Sequence, residues 1–320
     1  MSAVHTIEDP RYPTSITVAC VNFASIAGDK PATLAKIEGH IRDAARQGAQ
    51  LVAFPEGGLN THGSCEDCTS NHRPCQWHLD EAELVPGPST KFLAELAAEL
   101  DIYIVLGMNE LDPADPARMY NAAALVGPEG ILGTSRKVHL GHPLETCRYS
   151  AGTELPVYET RLGPIGILIC YDFFSNPELS RILALKGARL IINPTHNPPA
   201  PGKAEYVVAS TVARAQENLI YTMTANWPAD RGVGHSTIAG PAFPLFNNVL
   251  AEAGTDEQLI IANLNYRQLA RWYDLMPWRD WRLDPERQHG ITELVAREFD
   301  EIALKAAELR TSGSTATDQG

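Results

Sequence analysis

The sequence predicts an α/β layered fold in one principal domain, with helices at its C-terminal end. Short apolar runs typical of buried strands alternate with segments whose apolar residues recur at helical spacing. The chain opens in the order strand, helix, strand, which favours a layered α/β fold. Its 320 residues, 44% of them apolar, can fill a sizeable core. No internal repeat or linker divides the chain.

Local patterns define the elements of the first part of the chain. Ser15 to Phe23 run apolar as a core strand, Asp29 or its neighbourhood caps the following helix, and Gly48 stops that helix. Residues 51–56 (LVAFPE) are a second buried strand. Between Gly57 and Pro88 there is no periodicity, so we predict a long loop there.

Helices and strands continue to alternate after this loop. Ser89 or Thr90 caps a predicted helix, and a strand follows at IYIVLGMNE. Two apolar runs joined by Gly-Pro-Glu-Gly predict a hairpin, so that Lys137 leaves the end of a strand. A second hairpin, VYETRLGPIGILIC, ends at Cys170.

The remaining elements close the predicted domain. Asn176 and Pro177 suit the start of a helix. The later predicted elements are a strand (RLIINPT), a helix (AEYVVASTVARAQEN), a strand (LIYTMTAN), three short closing strands (GHSTIAGPAF, NNVLAEAG, QLIIANLN) and C-terminal helices. We therefore divide the chain into an N-terminal arm (1–14), the main domain (15–265), a helical extension (266–310) and a disordered tail (311–320).

Charge and cysteine content limit the classes of partner and compartment. A formal net charge of −13 argues against a nucleic acid or an anionic membrane as partner, since both attract basic surfaces. The N-terminus has neither the basic nor the apolar region of a signal peptide, and no segment reaches membrane-spanning length. We predict a cytoplasmic protein whose six cysteines are reduced thiols.

Three reactive side chains each follow a predicted buried strand: Glu56, Lys137 and Cys170. Taken singly, they have plain alternatives as a helix-start carboxylate, a solvated strand-end charge and a core thiol. Functional groups in layered α/β folds gather at the carboxyl ends of strands, so the three can share one site. There a carboxylate can take the thiol proton, the thiolate attacks, and an ammonium stabilises the oxyanion.

The contexts of these residues resemble the nitrilase superfamily of carbon-nitrogen hydrolases. The strings FPEGGL, SRKVHL and ICYDFFSNPEL occur in the family's order, and the resemblance runs from about Ile16 to Leu264. It implies a four-layer α-β-β-α sandwich without metal or organic cofactor. It also implies a homodimer or higher homo-oligomer that forms through outer helices and the C-terminal segment.

The resemblance also implies roles for individual residues. Glu56 would be the general base, Cys170 the nucleophile and Lys137 an oxyanion donor, with the backbone N–H of Tyr171 as second donor. A further catalytic glutamate of many members would match Glu145 in LETCRYSAG. The alternative is a loop carboxylate paired with the nearby arginine.

The residues around the nucleophile indicate the substrate class. The context CYD is more similar to amidases than to nitrilases, so we predict hydrolysis of a small amide to its acid and ammonia through a thioester. Nitriles and N-carbamoyl compounds are the alternatives.

The residues just after the nucleophile depart from the pattern of the family. Many relatives carry an arginine where this chain has Phe174, and Pro177 lies one residue later than the usual spacing in relatives. If Phe173 or Phe174 lines the pocket, an uncharged or aromatic amide is favoured; core packing of both rings is the alternative.

His196 and Trp227, each at a predicted strand end, are further pocket candidates with the same alternative. A different class of function is a non-catalytic scaffold or binding member of the family. Such a protein would be free to lose its catalytic residues, and this chain keeps all three.

The loop before Pro88 contains Cys65, Cys68 and Cys75, with histidines at positions 62, 72 and 78. Its C-x2-C pair and nearby histidines provide enough ligands for structural zinc. The family does not require a metal, and only one C-x2-C pair is present. From the sequence we therefore favour no metal and reduced surface or interface thiols, with zinc as the alternative.

Overall fold

The computed structural model describes residues 11–60, 65–141, 143–241, 248–275, 277, 284 and 291–314. The chain divides into two compact units, one comprising Thr6–Trp272 and the other Met1–His5 together with Tyr273–Gly320. The first unit contains the described strands. They are β1 (Ser15–Asn22), β2 (Leu51–Ala53), β3 (Tyr103–Leu111), β4 (Met119–Gly127), β5 (Gly130–Arg136), β6 (Val157–Tyr158), β7 (Ile165–Ile167), β8 (Leu190–Pro194), β9 (Tyr221–Ala225), β10 (Thr237–Ala239), β11 (Val249–Glu252) and β12 (Gln258–Asn265).

The described helices lie between these strands and at the C-terminal end. They are α1 (Lys30–Arg46), α2 (Glu66–Asn71), α3 (Gln76–Glu81), α4 (Pro88–Leu100), α5 (Pro143–Arg148), α6 (Tyr171–Ser175), α7 (Pro177–Leu185), α8 (Lys203–Asn218), α9 (Tyr266–Leu275) and α10 (Ile291–Ser314).

The described strands form two six-stranded sheets. The first has the order β12-β1-β2-β3-β4-β5, and the second has the order β11-β10-β9-β8-β7-β6. Strands β1, β2 and β3 are parallel, as are β7, β8 and β9, while the flanking strands pair antiparallel. Parallel strands end at the same edge of a sheet, so the residues that follow β2, β7, β8 and β9 are candidates for one site.

The two sheets pack face to face with helices outside them. The Cys20 thiol donates to the carbonyl of Thr224 across the interface at 3.2 Å. Helices α1 and α4 cover the first sheet, where Ile41 and Leu93 share a core with Val52. Helices α7 and α8 cover the second sheet. This arrangement confirms the predicted four-layer α-β-β-α sandwich.

One glycine allows the close approach of α7 to the second sheet. A Cβ atom on Gly166 in β7 would lie 2.8 Å from Cδ1 of Leu183. The strand that leads to Cys170 therefore packs directly beneath a buried helix side chain, and the absence of a Cβ atom makes this possible.

Local details of the helices confirm one sequence prediction and contradict others. The helix cap at Asp29 is confirmed, since its Oδ1 accepts the N–H of Ala32 at 2.9 Å. The predicted cap at Ser89 or Thr90 is wrong: Pro88 begins the helix, Gly87 is the N-cap, and Thr90 accepts the Gly87 N–H. The predicted long loop contains the short helices α2 and α3, and α6 follows Cys170 directly.

The C-terminal unit contains α10. This helix includes residues 311–314, which we predicted to be part of a disordered tail, whereas residues 315–320 and 1–10 lie outside the described ranges. Among the side chains of α10 that the structure describes, the large apolar ones that are exposed are Leu294, Val295, Phe299, Ile302 and Leu304. Oligomer contacts through this segment stay a prediction. Within the described ranges, every helix is too short or too polar to cross a lipid bilayer.

Candidate active site

Cys170 lies in a strained turn between β7 and α6. Its backbone φ of 50° and ψ of −105° fall outside the regions that residues with a side chain normally occupy. Such strain costs about 1–3 kcal/mol and is concentrated at functional sites. The Cys170 N–H donates to the carbonyl of Pro194 at 3.0 Å and to Oδ1 of Asn193 at 2.8 Å. These bonds hold the turn at the end of β8.

Glu56 joins the two sheets at their carboxyl ends. It follows β2 through Phe54 and Pro55, and its side chain is almost completely buried. Its Oε1 accepts from Nζ of Lys137 at 2.9 Å, and its Oε2 accepts the backbone N–H of His196 at 2.9 Å. The first sheet therefore carries the carboxylate, and the second sheet fixes its orientation.

Lys137 lies between two carboxylates. It follows β5 directly, and its Nζ donates to Oε1 of Glu56 at 2.9 Å and to Oε1 of Glu145 at 2.5 Å. Glu145, on α5, also accepts the N–H of Gly141 through Oε2 at 3.0 Å. The structure thus brings Glu145 into the cluster formed by the residues that the motifs indicate.

Burial and charge together set the protonation of this cluster. Burial and the negative charge of Glu56 together raise the pKa of the Cys170 thiol to about 12, although the positive charge of Lys137 acts to lower it. Burial acts to lower the pKa of Lys137, but Glu56 and Glu145 outweigh it and hold that pKa well above its usual value. Burial and the charge of Glu56 raise the pKa of Glu145. Cys170 is therefore a neutral thiol beside a permanently charged ammonium at neutral pH.

The backbone N–H of Tyr171, predicted to be the second oxyanion donor, lies next to Cys170 at the start of α6. Tyr171 is the first residue of α6, where a backbone N–H has no acceptor within the helix. Among the described residues, no main-chain carbonyl accepts it, whereas the next three N–H groups of the turn are bonded to Ile169 or Cys170. Its ring packs on Gly141, where a Cβ would lie 2.6 Å from Cγ of Tyr171.

Asp172 connects the segment that begins at Cys170 to the segment that follows β5. This buried carboxylate accepts the N–H of Val138 through Oδ2 at 2.9 Å and that of His139 through Oδ1 at 2.7 Å. In the sequence, Asp172 indicates only the similarity of the CYD context to amidases. Its structural role is to hold the segment that begins at Lys137 against the segment that begins at Cys170.

We expect Asp172→Ala to lower the free energy of unfolding by about 3 kcal/mol, because two buried N–H groups lose their acceptor. Asp172→Asn keeps one acceptor oxygen and should fall between the alanine variant and the wild type. Urea unfolding measures this series. The control is Asp43→Ala, which breaks an exposed ion pair with Arg46. An alanine variant as stable as this control would contradict the role of Asp172.

Two further residues support the cluster. Nδ2 of Asn121, in β4, donates to Oε1 of Glu56 at 2.7 Å and to Oε1 of Glu145 at 3.3 Å. Sequence analysis missed this residue, although a lone amide within an apolar strand is a signal. Trp227 was predicted to line the pocket. Its ring is fully buried, and Nε1 donates to the backbone carbonyl of Glu56 at 2.8 Å. The indole therefore holds the backbone of Glu56 in place.

A cavity of about 380 Å³ opens onto these groups, a size suited to a small molecule. Among the described residues that line it are the following predicted site residues: Glu56, Lys137, Glu145, Cys170, Tyr171 and His196. Two cations that sequence analysis did not assign to the pocket, Arg148 and Lys203, also line it.

Phe173 and Phe174 lie in the core and not on the cavity surface. Phe173 is fully buried and Phe174 nearly so, and their rings meet edge to face with centroids 5.7 Å apart. The ring of Phe174 also contacts that of Tyr206 on α8. Neither phenylalanine is among the lining residues, so the core-packing alternative describes both rings.

The chain matches the carbon-nitrogen hydrolase family model over residues 17–274. It is 30% identical to the omega-amidase NIT2 of Bos taurus over 266 residues, which cover 79% of this chain and 90% of that protein. It is 31% identical to the omega-amidase NIT2-B of Xenopus laevis, over 76% of this chain and 87% of that protein.

Solved structures have the same fold. Nit3 of Saccharomyces cerevisiae, a member of branch 10 of the nitrilase superfamily, matches with a TM-score of 0.71 and 27% identity, over 87% of this chain and 98% of Nit3. An amidase from Nesterenkonia sp. matches with a TM-score of 0.66 and 25% identity, over 83% and 97% of the two chains. The chain therefore belongs to the carbon-nitrogen hydrolase family of the nitrilase superfamily.

Proposed function

We propose that this protein is an amidase that converts a small amide to its acid and ammonia through a thioester on Cys170. The observation that carries this proposal is the joint placement of Cys170, Glu56 and Lys137 on one small cavity. A buried thiol, a carboxylate and an ammonium are the groups that acyl transfer requires. The names of the curated relatives, omega-amidases, support an amide as substrate.

Each step of the reaction uses a group already described. Glu56 takes the proton of the Cys170 thiol as sulfur attacks the amide carbon. Lys137 Nζ and the Tyr171 N–H stabilise the oxyanion of the tetrahedral adduct. Glu56 then returns the proton to the leaving nitrogen, the C–N bond breaks, and ammonia departs from the thioester. Water, deprotonated by Glu56, attacks the thioester and releases the acid, and the proton returns to the Cys170 sulfur.

The raised pKa of Cys170 makes the carboxylate necessary. With a pKa of about 12, the thiol holds its proton at neutral pH, so attack must be coupled to proton transfer. Glu145 stays close to Lys137 and keeps the ammonium oriented toward the cavity. We infer that Glu145 positions Lys137, and that Glu56 carries the proton.

Nitriles and N-carbamoyl compounds are the alternative substrates for the same three residues. A nitrile would form a thioimidate on Cys170, and a carbamoyl compound would release carbon dioxide as well as ammonia. The CYD context and the curated relatives both favour an amide. A non-catalytic scaffold is the alternative of another class, and the retained catalytic groups around one cavity argue against it.

We further infer that the substrate carries a carboxylate at the end remote from the amide. The cavity is lined by three cationic side chains and two carboxylates, so it has an excess of positive charge. Lys137 is bound by both carboxylates, and Arg148 also interacts with Cys68, so Lys203 is the cation that faces a substrate anion. This inference replaces the expected uncharged amide, which depended on Phe173 or Phe174 lining the pocket.

Ammonia release from matched substrates tests both parts of the proposal. Monoamides of four- and five-carbon dicarboxylic acids are compared with neutral amides of the same length, with nitriles and with N-carbamoyl compounds. We expect the highest kcat/KM for the carboxylate-bearing amides. A dominant activity on nitriles or carbamoyl compounds would contradict the amidase assignment, and a preference for neutral amides would contradict the anionic substrate.

Lys203→Met should lower kcat/KM for carboxylate-bearing amides by about 10- to 100-fold, because a charged hydrogen bond contributes about 1.5–3 kcal/mol. The same variant should leave kcat/KM for neutral amides nearly unchanged, which provides an internal control. Lys203→Arg keeps the charge and should retain most of the activity. Equal losses on both classes of substrate would mean that Lys203 supports the fold rather than the substrate anion.

A further inference from the structure

Four potential metal ligands meet outside the catalytic cavity. Cys65, Cys68, Cys75 and His78 each contribute one sulfur or ring nitrogen atom, and these atoms all lie within 4.8 Å of one another. Cys68 and His78 are buried, whereas Cys65 and Cys75 are partly exposed. The ligand spacing is C-x2-C-x6-C-x2-H, so a C-x2-H pair repeats the spacing of the C-x2-C pair.

Two of the distances within this cluster match those of a tetrahedral zinc site, and a third is about 0.4 Å shorter. Zinc bonds of 2.3 Å to sulfur and 2.0–2.1 Å to nitrogen would separate two sulfurs by about 3.8 Å and a sulfur from a nitrogen by about 3.5 Å. In the protein, Sγ of Cys65 and Sγ of Cys75 are 3.8 Å apart. Nδ1 of His78 lies 3.5 Å from Sγ of Cys68 and 3.1 Å from Sγ of Cys75.

The backbone presents the two ligand pairs in the same way. Cys65 is the N-cap of α2 and Cys75 the N-cap of α3, and the second ligand of each pair lies in the first turn of its helix. Neither cysteine makes a side-chain capping bond, although residues with oxygen-bearing side chains are preferred at this position. The N–H of Cys75 points to Sγ of Cys68 at 3.3 Å, an arrangement that stabilises a thiolate. The cysteines are therefore placed for a role other than capping.

Helices α2 and α3 are short and bury few side chains. Helices α2 and α3 have six residues each, too few for independent stability. In each of them a single residue is buried, and these two residues are the ligands Cys68 and His78. A metal ion bound to all four ligands would link the start of α2 to the start of α3.

We propose that Cys65, Cys68, Cys75 and His78 bind a structural zinc ion. Three thiolates select zinc over the oxygen-preferring magnesium and calcium. Four protein ligands complete a tetrahedral shell and leave no position for water or substrate, which makes the site structural and not catalytic. The sequence alone favoured reduced thiols because it showed one C-x2-C pair, and the fold supplies His78 as the fourth ligand.

The proposed site adjoins the helix that carries Glu145. The guanidinium of Arg148, on α5, interacts electrostatically with the sulfur of Cys68. Nδ1 of His72, the C-cap of α2, lies 3.3 Å from Sγ of Cys147, also on α5. Zinc with three thiolates carries one negative charge, which Arg148 balances. The ion would thus fix α2 and α3 as a support for one wall of the cavity.

Metal analysis of the full-length protein tests the proposal independently of amide hydrolysis. The protein is expressed with zinc in the medium and purified without chelator, and its metal is measured by mass spectrometry. We expect about one zinc per chain in the wild type and in the control Cys147→Ser, whose thiol lies beside the cluster but outside it. Cys65→Ser with Cys75→Ser should reduce the stoichiometry by about tenfold or more.

Cobalt substitution gives a second measurement that needs no variant. Cobalt bound to three thiolates and one imidazole should show intense visible bands of a tetrahedral site and thiolate charge transfer in the near ultraviolet. Zinc near zero in the wild type would overturn the proposal, as would equal zinc in the wild type and the double variant. A mass two units lower without reductant, with zinc absent, would indicate a disulfide between Cys65 and Cys75 and would also overturn it.

Discussion

Replacing Cys170 with alanine will lower kcat/KM for amide hydrolysis by at least about 10⁴-fold, because no thioester can form without the sulfur. The effect is large because Glu56 and Lys137 act through that sulfur. In the first step Glu56 takes its proton from the thiol, and the two proposed oxyanion donors act on the carbon that the sulfur attacks. The remaining groups can bind substrate but have no nucleophile to activate.

Ammonia release and acyl-enzyme trapping together measure this prediction. With hydroxylamine present, the wild type should divert the acyl group to a hydroxamate, and Cys170→Ala should yield none. Cys147→Ala removes another buried thiol of the same unit that does not line the cavity, and it should retain hydroxamate formation. Thermal unfolding checks that each variant is folded.

Three outcomes would contradict the role of Cys170. A Cys170→Ala variant that keeps a tenth of the activity would place the nucleophile elsewhere. Hydrolysis by the wild type without any hydroxamate would indicate direct attack by water. A folded wild type inactive on every amide, nitrile and carbamoyl compound tried would favour the scaffold alternative.

The proposed catalytic residues could be selected from the sequence because each follows a predicted strand with a local signature. The apolar runs before Glu56 and Cys170 identify buried strands, whereas β5, before Lys137, was predicted to be buried and is mostly half-buried. The topology brings the residues that follow these three strands to one cavity. Short sequence motifs were therefore enough to predict which distant residues meet in the fold. The strained backbone at Cys170 has no such signature. The apolar run continues to Ile169 and predicts a strand up to that residue, but the strand ends at Ile167 in the structure.

The supporting contacts were not predictable because their partners are main-chain groups or distant residues. Asp172 accepts N–H groups of Val138 and His139, and every non-proline residue has such a group, so composition does not reveal the pair. The indole of Trp227 similarly donates to a backbone carbonyl from more than one hundred residues away. Sequence indicates that such residues are buried but not which group they bind.

The placement of Phe173 and Phe174 depended on an element that the sequence analysis missed. The five residues of α6 form one turn, too short for periodicity to define a face. The ring of Phe174 contacts Tyr206 on α8, and Arg214 of the same helix donates to the carbonyls of Phe173 and Phe174 at 2.9 Å. The inferred charge of the substrate changed as a result, since the cavity wall is formed by α5 and the start of α8.

Lys137→Met should lower the free energy of unfolding by about 3–5 kcal/mol, because it leaves Glu56 and Glu145 buried without their cation. It should also lower kcat by at least about 100-fold through loss of an oxyanion donor. Asn121 would still donate to both carboxylates, but a neutral amide cannot offset two negative charges. Urea unfolding and amide hydrolysis measure the two effects on the same preparation.

A second substitution separates stability from catalysis. Glu145→Gln in the Lys137→Met background removes one of the two uncompensated charges, so it should restore a large part of the lost stability. It should not restore kcat, because the oxyanion donor is still absent. If the double variant is no more stable than Lys137→Met, the two carboxylates are not coupled through the lysine.

The loss of stability should also depend on pH. Burial and the charge of Glu56 already raise the pKa of Glu145 above its usual value, and removing Lys137 raises it further. A carboxyl group whose pKa is raised by folding destabilises the protein once the pH exceeds the pKa of the unfolded chain, and this effect disappears as the pH falls through that value. The gap between Lys137→Met and the wild type should therefore be widest at neutral pH and narrow toward about pH 4.5. A gap that stays constant with pH would mean that lost packing around the lysine stem, and not unpaired charge, destabilises the variant.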